Sequence, residues 1–177
     1  KDMGCNAIRT AHNIPASAFL DLCDEMGFLV MDEAFDMWQK KKNKYDYSKD
    51  FALWHQQDLE AMILRDRNHP SIFMWSIGNE IREQFDSSGL TGTKKMVAIV
   101  KALDTTRPVT SALTETVLSK NFIAQSGALD VLGFNYKPFD YDSLPVRFVN
   151  KPLIAAETAS ALETRGVYLF PADSMYV

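Results

Sequence analysis

Two glutamates far apart in the chain stand where an apolar run gives way to polar residues. Glu80 closes "SIFMWSIGNE" and Glu157 closes "PLIAAE". A carboxylate in that place either serves local structure or does chemistry. Two carboxyl groups opposed across about 5–5.5 Å cleave a glycosidic bond with retention, one donating a proton to the leaving oxygen while the other attacks the anomeric carbon. A wider gap admits a water and gives inversion. The plainer alternative is that Glu80 caps the following segment and Glu157 pairs with a lysine or arginine. The elements that carry the two residues have to decide.

Those elements are short apolar segments alternating with helical patterns. Strands are predicted over residues 6–10, 28–33, 71–77, 108–113, 130–136 and 152–157. The first helix, 16–26, carries Phe19, Leu22, Cys23 and Met26 at three-to-four spacing, with Gly27 as C-cap. A helix over 50–65 buries Leu59, Met62 and Ile63, and one over 93–103 presents Met96, Ile99, Val100 and Leu103. A short helix over 118–125 precedes the fifth strand, and a long loop, 34–49, follows the second. Strands too apolar for a wet face, separated by helices, imply a helix-covered parallel sheet. Such an α/β sheet is either open and doubly wound or part of a (β/α)8 TIM barrel.

No glycine-rich phosphate loop follows the first strand, which disfavours a nucleotide-binding open sheet. "RTAH", "DEA", "GNE", "NY" and "ET" all follow strands. In a barrel those ends converge on one face, where active sites form. A barrel also brings the ends of the third and sixth visible strands, and so Glu80 and Glu157, across a single mouth.

The net charge of −4 argues against nucleic acid or an anionic membrane as partner. No apolar run approaches membrane-spanning length. Cys5 and Cys23 lack a metal-ligand spacing and read as buried free thiols. Three histidines with no spaced acid cluster predict no metal site built from protein side chains. The chain starts without Met almost directly on a strand, as if cut from something longer.

"NAIRTAHNIPASAFLDLCDEMGFLVMDE" and "DRNHPSIFMWSIGNE" resemble the two signature regions of glycoside hydrolase family 2, and "KPLIAAET" is similar to its nucleophile strand. The first stretch departs at Asn13, where the family often has tyrosine. The resemblance implies a retaining β-glycosidase, β-galactosidase-like, with an acid/base on the fourth barrel strand and a nucleophile on the seventh. The six visible strands then become the second to seventh of an incomplete (β/α)8 TIM barrel. The whole chain, 1–177, would be one partial catalytic domain of a longer multidomain protein, with flanking β-sandwich domains missing. A carbohydrate substrate is implied, and a homo-oligomer stays open. Some relatives bind a divalent cation beside the acid/base, which leaves a cation near Glu80 open.

The resemblance makes Glu80 the general acid/base, Glu157 the nucleophile and Asn79 the partner of the sugar 2-hydroxyl. Arg9, at a strand end, can present a guanidinium to Glu157. His12 and Tyr136 match a sugar-contacting histidine and a tyrosine near the nucleophile. Asp32 and Glu33 point to opposite sides of their strand, so at most one faces the mouth; Glu33 is the candidate. Trp38 is a candidate to stack on a sugar ring, with core packing as the alternative. Asp66, Arg67, Asn68 and His69 precede their strand and should form a structural network at the opposite face. A β-glucuronidase, a β-mannosidase and a truncated, non-catalytic sugar-binding domain remain as alternatives.

Overall fold

A computed structural model describes residues 1–159. Six strands form one all-parallel sheet in sequential order: β1 (Ala7–Arg9), β2 (Leu29–Glu33), β3 (Ile72–Asn79), β4 (Val109–Leu113), β5 (Leu132–Asn135) and β6 (Leu153–Glu157). The helices between them are α1 (Ser17–Met26), α2 (Ser48–Asp66), α3 (Ser88–Leu103), α4 (Phe122–Gln125) and α5 (Leu144–Arg147). Parallel strands joined in chain order by right-handed crossovers put every helix on the same face. The other face is then buried only if the sheet curls onto itself, as in a (β/α)8 barrel.

The packing follows that logic. A large core of Val30, Trp75, Ile77, Val109, Leu113 and Phe134 meets Leu59, Met62, Ile63, Met96 and Val100 of the helices. A smaller cluster of Met31, Met74 and Val131, with Phe73 and Ile154 against it, joins β2 and β3 to β6. Non-neighbouring strands can share such contacts only inside the curl. The edges β1 and β6 do not pair with each other through backbone hydrogen bonds. A cavity of about 150 Å³ lies between them, lined by Ile8, Met31, Phe73 and Ile154. At its upper end Arg9 reaches from β1 to the Ala156 carbonyl of β6, 3.4 Å away. The architecture is an incomplete (β/α)8 TIM barrel.

Local chemistry sets the element ends. Gly27 adopts φ 66°, and its N–H closes α1 on the Asp24 carbonyl, a conformation glycine accepts without strain. On α1 the sheet receives Leu20 and Cys23, whereas Leu22 and Met26 are exposed. The expected apolar face was drawn too wide, because α1 lies over the sheet's free edge and only one stripe meets strands. Cys5 is exposed, contrary to expectation, because it precedes β1 rather than lying in it. Ahead of β3, His69 Nδ1 contacts Asp24 Oδ2 at 2.6 Å and Ser71 N–H donates to Asp24 Oδ1. Arg67 donates to the Leu103 carbonyl. These bonds tie the turn before Pro70 to α1 and α3.

Candidate active site

The strand ends gather around Arg9. Its Nε and Nη2 form a fork on Glu33, at 2.8 Å to Oε2 and 2.9 Å to Oε1, and Nη1 lies 2.8 Å from Glu157 Oε1. Glu33 is wholly buried and also accepts from Ser76 Oγ at 2.6 Å, with His12 Nδ1 3.0 Å from Oε1. Burial opposes charge on Arg9, but the two carboxylates outweigh it and raise its pKa above the ordinary arginine value. Strand alternation explains why Glu33 faces this mouth while Asp32 does not. Asp32 lies fully buried and contacts Thr10 Oγ1 at 3.3 Å. Burial first, and the neighbouring Asp66 carboxylate second, push Asp32 up to about 8.

Three residues just past strand ends adopt left-handed backbone without being glycine: Phe35 (φ 79°), Glu80 (φ 44°) and Tyr136 (φ 54°). Such conformations cost about 1–3 kcal/mol each and persist where the surroundings over-determine them. At Glu80 the N–H donates to the Ala112 carbonyl at 2.8 Å, and the preceding Asn79 N–H donates to the Phe35 carbonyl at 3.0 Å. Lys42 Nζ holds the Asn79 carbonyl at 2.9 Å. The Asn79 amide accepts from Arg9 Nη2 at Oδ1 and donates to Asp36 Oδ1, both at 2.9 Å. The strained turn thus aims Glu80 into the mouth.

Glu80 and Glu157 meet at Asn135. Its Nδ2 lies 3.0 Å from Glu80 Oε1, 2.9 Å from Glu157 Oε1 and 3.0 Å from Asn79 Oδ1. Those two contacts confine the carboxylate oxygens to about 6 Å of each other, which suits double displacement and falls short of the about 6.5–9.5 Å of an inverting pair. Their surroundings differ. Glu157 has a cation in Arg9 and a hydroxyl donor in Tyr136. Burial works against its charge, but Tyr136 and Arg9 outweigh that and hold its carboxyl below the usual range. The same bond, before burial, pushes Tyr136 up to about 12. Glu80 makes no ion pair with a described residue; its side-chain contact is the neutral Asn135 amide. Unequal environments of this kind separate a nucleophile from an acid/base.

Of the residues expected at the mouth, Arg9, His12, Glu33, Asn79, Glu80, Tyr136 and Glu157 are brought together. Trp38 is not. It is 2% exposed in the core, Nε1 donates to the Ile77 carbonyl at 2.9 Å, and the ring stacks near Phe51. Gly78 makes room for it: a Cβ there would lie 3.2 Å from Trp38 Nε1 and 2.5 Å from Ile81. With no free face and a satisfied N–H, Trp38 cannot stack on a sugar. Sequence reasoning passed over Asn135, Asp36 and Ser76. Asn135 shares its strand end with Tyr136, and a polar side chain closing an apolar strand was the available signal.

Among the described residues no three His, Cys, Asp or Glu side chains gather to hold a metal ion. Glu80 Oε1 accepts from the Asn135 amide N–H, a group that does not ligate a cation. Nor is any described helix long and apolar enough to cross a membrane.

Comparison with known proteins agrees with this geometry. Residues 1–169 match the family model for glycosyl hydrolases family 2, TIM barrel domain. The chain is 48% identical over 208 aligned positions to the β-galactosidase BoGH2A of Bacteroides ovatus, covering 100% of this chain and 24% of that protein. It is 34% identical to human β-glucuronidase, over 75% of this chain and 20% of that one. A solved family 2 member from Bacteroides cellulosilyticus superposes with a TM-score of 0.85 at 41% identity, over 90% of this chain and 20% of that one. The chain thus spans a quarter or less of the length of these relatives. By the family match and by the site its strand ends assemble, the chain belongs to glycosyl hydrolase family 2.

Proposed function

We propose that this chain supplies the catalytic centre of a retaining exo-β-glycosidase that removes terminal β-galactosyl groups. The observation that carries the proposal is the shared contact of Asn135 Nδ2 with Glu80 and Glu157, which keeps the two carboxylates one sugar apart. In the first step a Glu157 oxygen attacks the anomeric carbon while Glu80 gives its proton to the departing glycosidic oxygen. A covalent glycosyl–Glu157 ester forms and the aglycone leaves as an alcohol. In the second step Glu80 takes a proton from water, the hydroxide attacks the same carbon, and Glu157 is released. Arg9 and Tyr136 keep Glu157 ionised for the attack. Asn79 and His12 stand on the sugar side of the pair, 3.5 Å apart.

Galactose is favoured by the name of the 48% identical relative and by the use of cations in the mouth. A hexuronide needs a free cation for its carboxylate. Arg9 is committed to Glu33 and Glu157, Lys42 to Asp36 and Lys40 to Asp86. A β-glucuronidase, named among the relatives, is therefore the second reading. The chain is also proposed to be one part of a longer multidomain protein, an idea supported by its share of the relatives' length.

The test is hydrolysis of a panel of aryl β-glycosides by the full-length protein, with proton NMR of the first-formed sugar. The β anomer of galactose should appear first and then mutarotate. The α anomer first would overturn retention, and no hydrolysis of any aryl β-glycoside would overturn the glycosidase reading.

A further inference from the structure

Asp36 stands at the mouth without a part in the mechanism above. The loop after β2 turns at Phe35, whose carbonyl accepts the Asn79 N–H at 3.0 Å, so the next residue lies against the end of β3. Asp36 Oδ1 then accepts twice, from Asn79 Nδ2 at 2.9 Å and from Lys42 Nζ at 2.7 Å. Among the described residues no group donates to Oδ2, and the side chain is 30% exposed. Burial works against its charge, but Asn79 and Lys42 outweigh that and hold the carboxyl below the usual range.

One carboxylate oxygen is thus fixed by two donors and the other is open. It sits one hydrogen bond from the amide proposed to meet the sugar, whose nitrogen also lies 3.5 Å from His12 Nε2. An ionised acceptor beside a sugar site binds a hydroxyl strongly, because charge-assisted hydrogen bonds are about twice as strong as neutral ones. The same charge repels a carboxylate in a site sheltered from solvent. We propose that Asp36 is a specificity-determining residue: its Oδ2 accepts a hydrogen bond from a ring hydroxyl of the bound hexose, and its charge selects neutral hexosides over hexuronides. Lys42 fixes the carboxylate and partly compensates it. The inference rests on the glycosidase reading above.

Asp36→Asn isolates the effect. Its carbonyl oxygen still accepts from Asn79 and Lys42, and only the charge and the open acceptor are lost. In the full-length protein, kcat/KM is measured for 4-nitrophenyl β-galactoside and 4-nitrophenyl β-glucuronide, which share a leaving group. If the glucuronide is not turned over, inhibition constants of galactose and glucuronic acid give the same comparison. The galactoside-to-glucuronide ratio should fall at least tenfold in the variant. Lys42→Met should move it the other way, at least threefold, because the charge on Asp36 is then uncompensated; it serves alone should Asp36→Asn not fold. A purely structural role would lower both substrates together and leave the ratio unchanged in both variants, which overturns the inference. Wild-type protein that hydrolyses no aryl β-glycoside would instead refute the glycosidase reading.

Discussion

Replacing Arg9 with methionine removes the cation that joins Glu33 to Glu157 and keeps much of the aliphatic stem. Arg9 Nη1 lies 2.8 Å from Glu157 Oε1. Charge centres about 4 Å apart attract by about 4 kcal/mol at an effective dielectric constant of about 20. The Glu157 side chain is 22% exposed, so water screens part of this. About 1.5–3 kcal/mol remains, all of it in favour of the ionised carboxylate. Arg9 lowers the pKa of Glu157, so its loss raises it, and a nucleophile that must be ionised then fails at higher pH. The acid limb of kcat/KM for an activated aryl β-galactoside should move to higher pH. Tyr136 still donates to Glu157 and limits the shift. Glu33, wholly buried, loses its fork, and stability should drop by about 3–5 kcal/mol in thermal or urea unfolding. Arg9→Lys should recover part of the pH profile, because it returns the charge without the fork. An acid limb that stays put in folded Arg9→Met would refute this account of how Glu157 is kept ionised.

Other expectations concern single groups. Glu80→Gln should slow alkyl and weakly activated aryl glycosides by about a hundred- to ten-thousandfold and dinitrophenyl glycosides far less in the first, glycosyl-transfer step. Equal losses measured across a leaving-group series would remove Glu80 as the acid. Trp38→Ala should cost about 3–5 kcal/mol in unfolding experiments while KM stays near wild type; a raised KM with unchanged stability would return Trp38 to the sugar site. Burial raises the pKa of Asp32 to about 8, so the folded state binds a proton that the unfolded state gives up near pH 4, and stability falls as pH rises between them. Asp32→Asn should therefore gain about 5 kcal/mol over wild type at pH 9, from about 1.4 kcal/mol for each of the roughly four pH units between those values, with the gain vanishing below about pH 4 in pH-dependent melting curves.

Much of the frame was legible because burial writes itself into composition. β3 is apolar along nearly its whole length since one side meets α2 and α3 and the other lies inside the curl. Strand parity said that at most one of Asp32 and Glu33 faces the mouth, and the contacts of Glu33 with Arg9 and Ser76 show which one it is. The convergence of Arg9, Asn79, Tyr136 and Glu157 followed from placing each at the C-terminal end of a strand in a closed sheet. The loop after β2 was not legible. Its course depends on Phe35 taking a left-handed turn and on the space that Gly78 and Gly92 leave for the Trp38 ring, and neither has a periodic signature. Asp36 and Lys42 were opaque for the same reason, since their roles exist only once that loop is stitched to Asn79. On α1, spacing marked Leu22 and Met26 as apolar but could not say how broad a stripe a free sheet edge would cover.

The central claim is that Glu157 attacks sugar carbon with Glu80 across from it. A 2-deoxy-2-fluoro-β-galactosyl fluoride slows release of the covalent intermediate, so incubation with the full-length protein followed by peptide mass spectrometry identifies the labelled side chain. The peptide containing Glu157 should gain the mass of one fluorosugar as activity disappears. Label on another carboxylate, or loss of activity with no covalent adduct, would contradict the account.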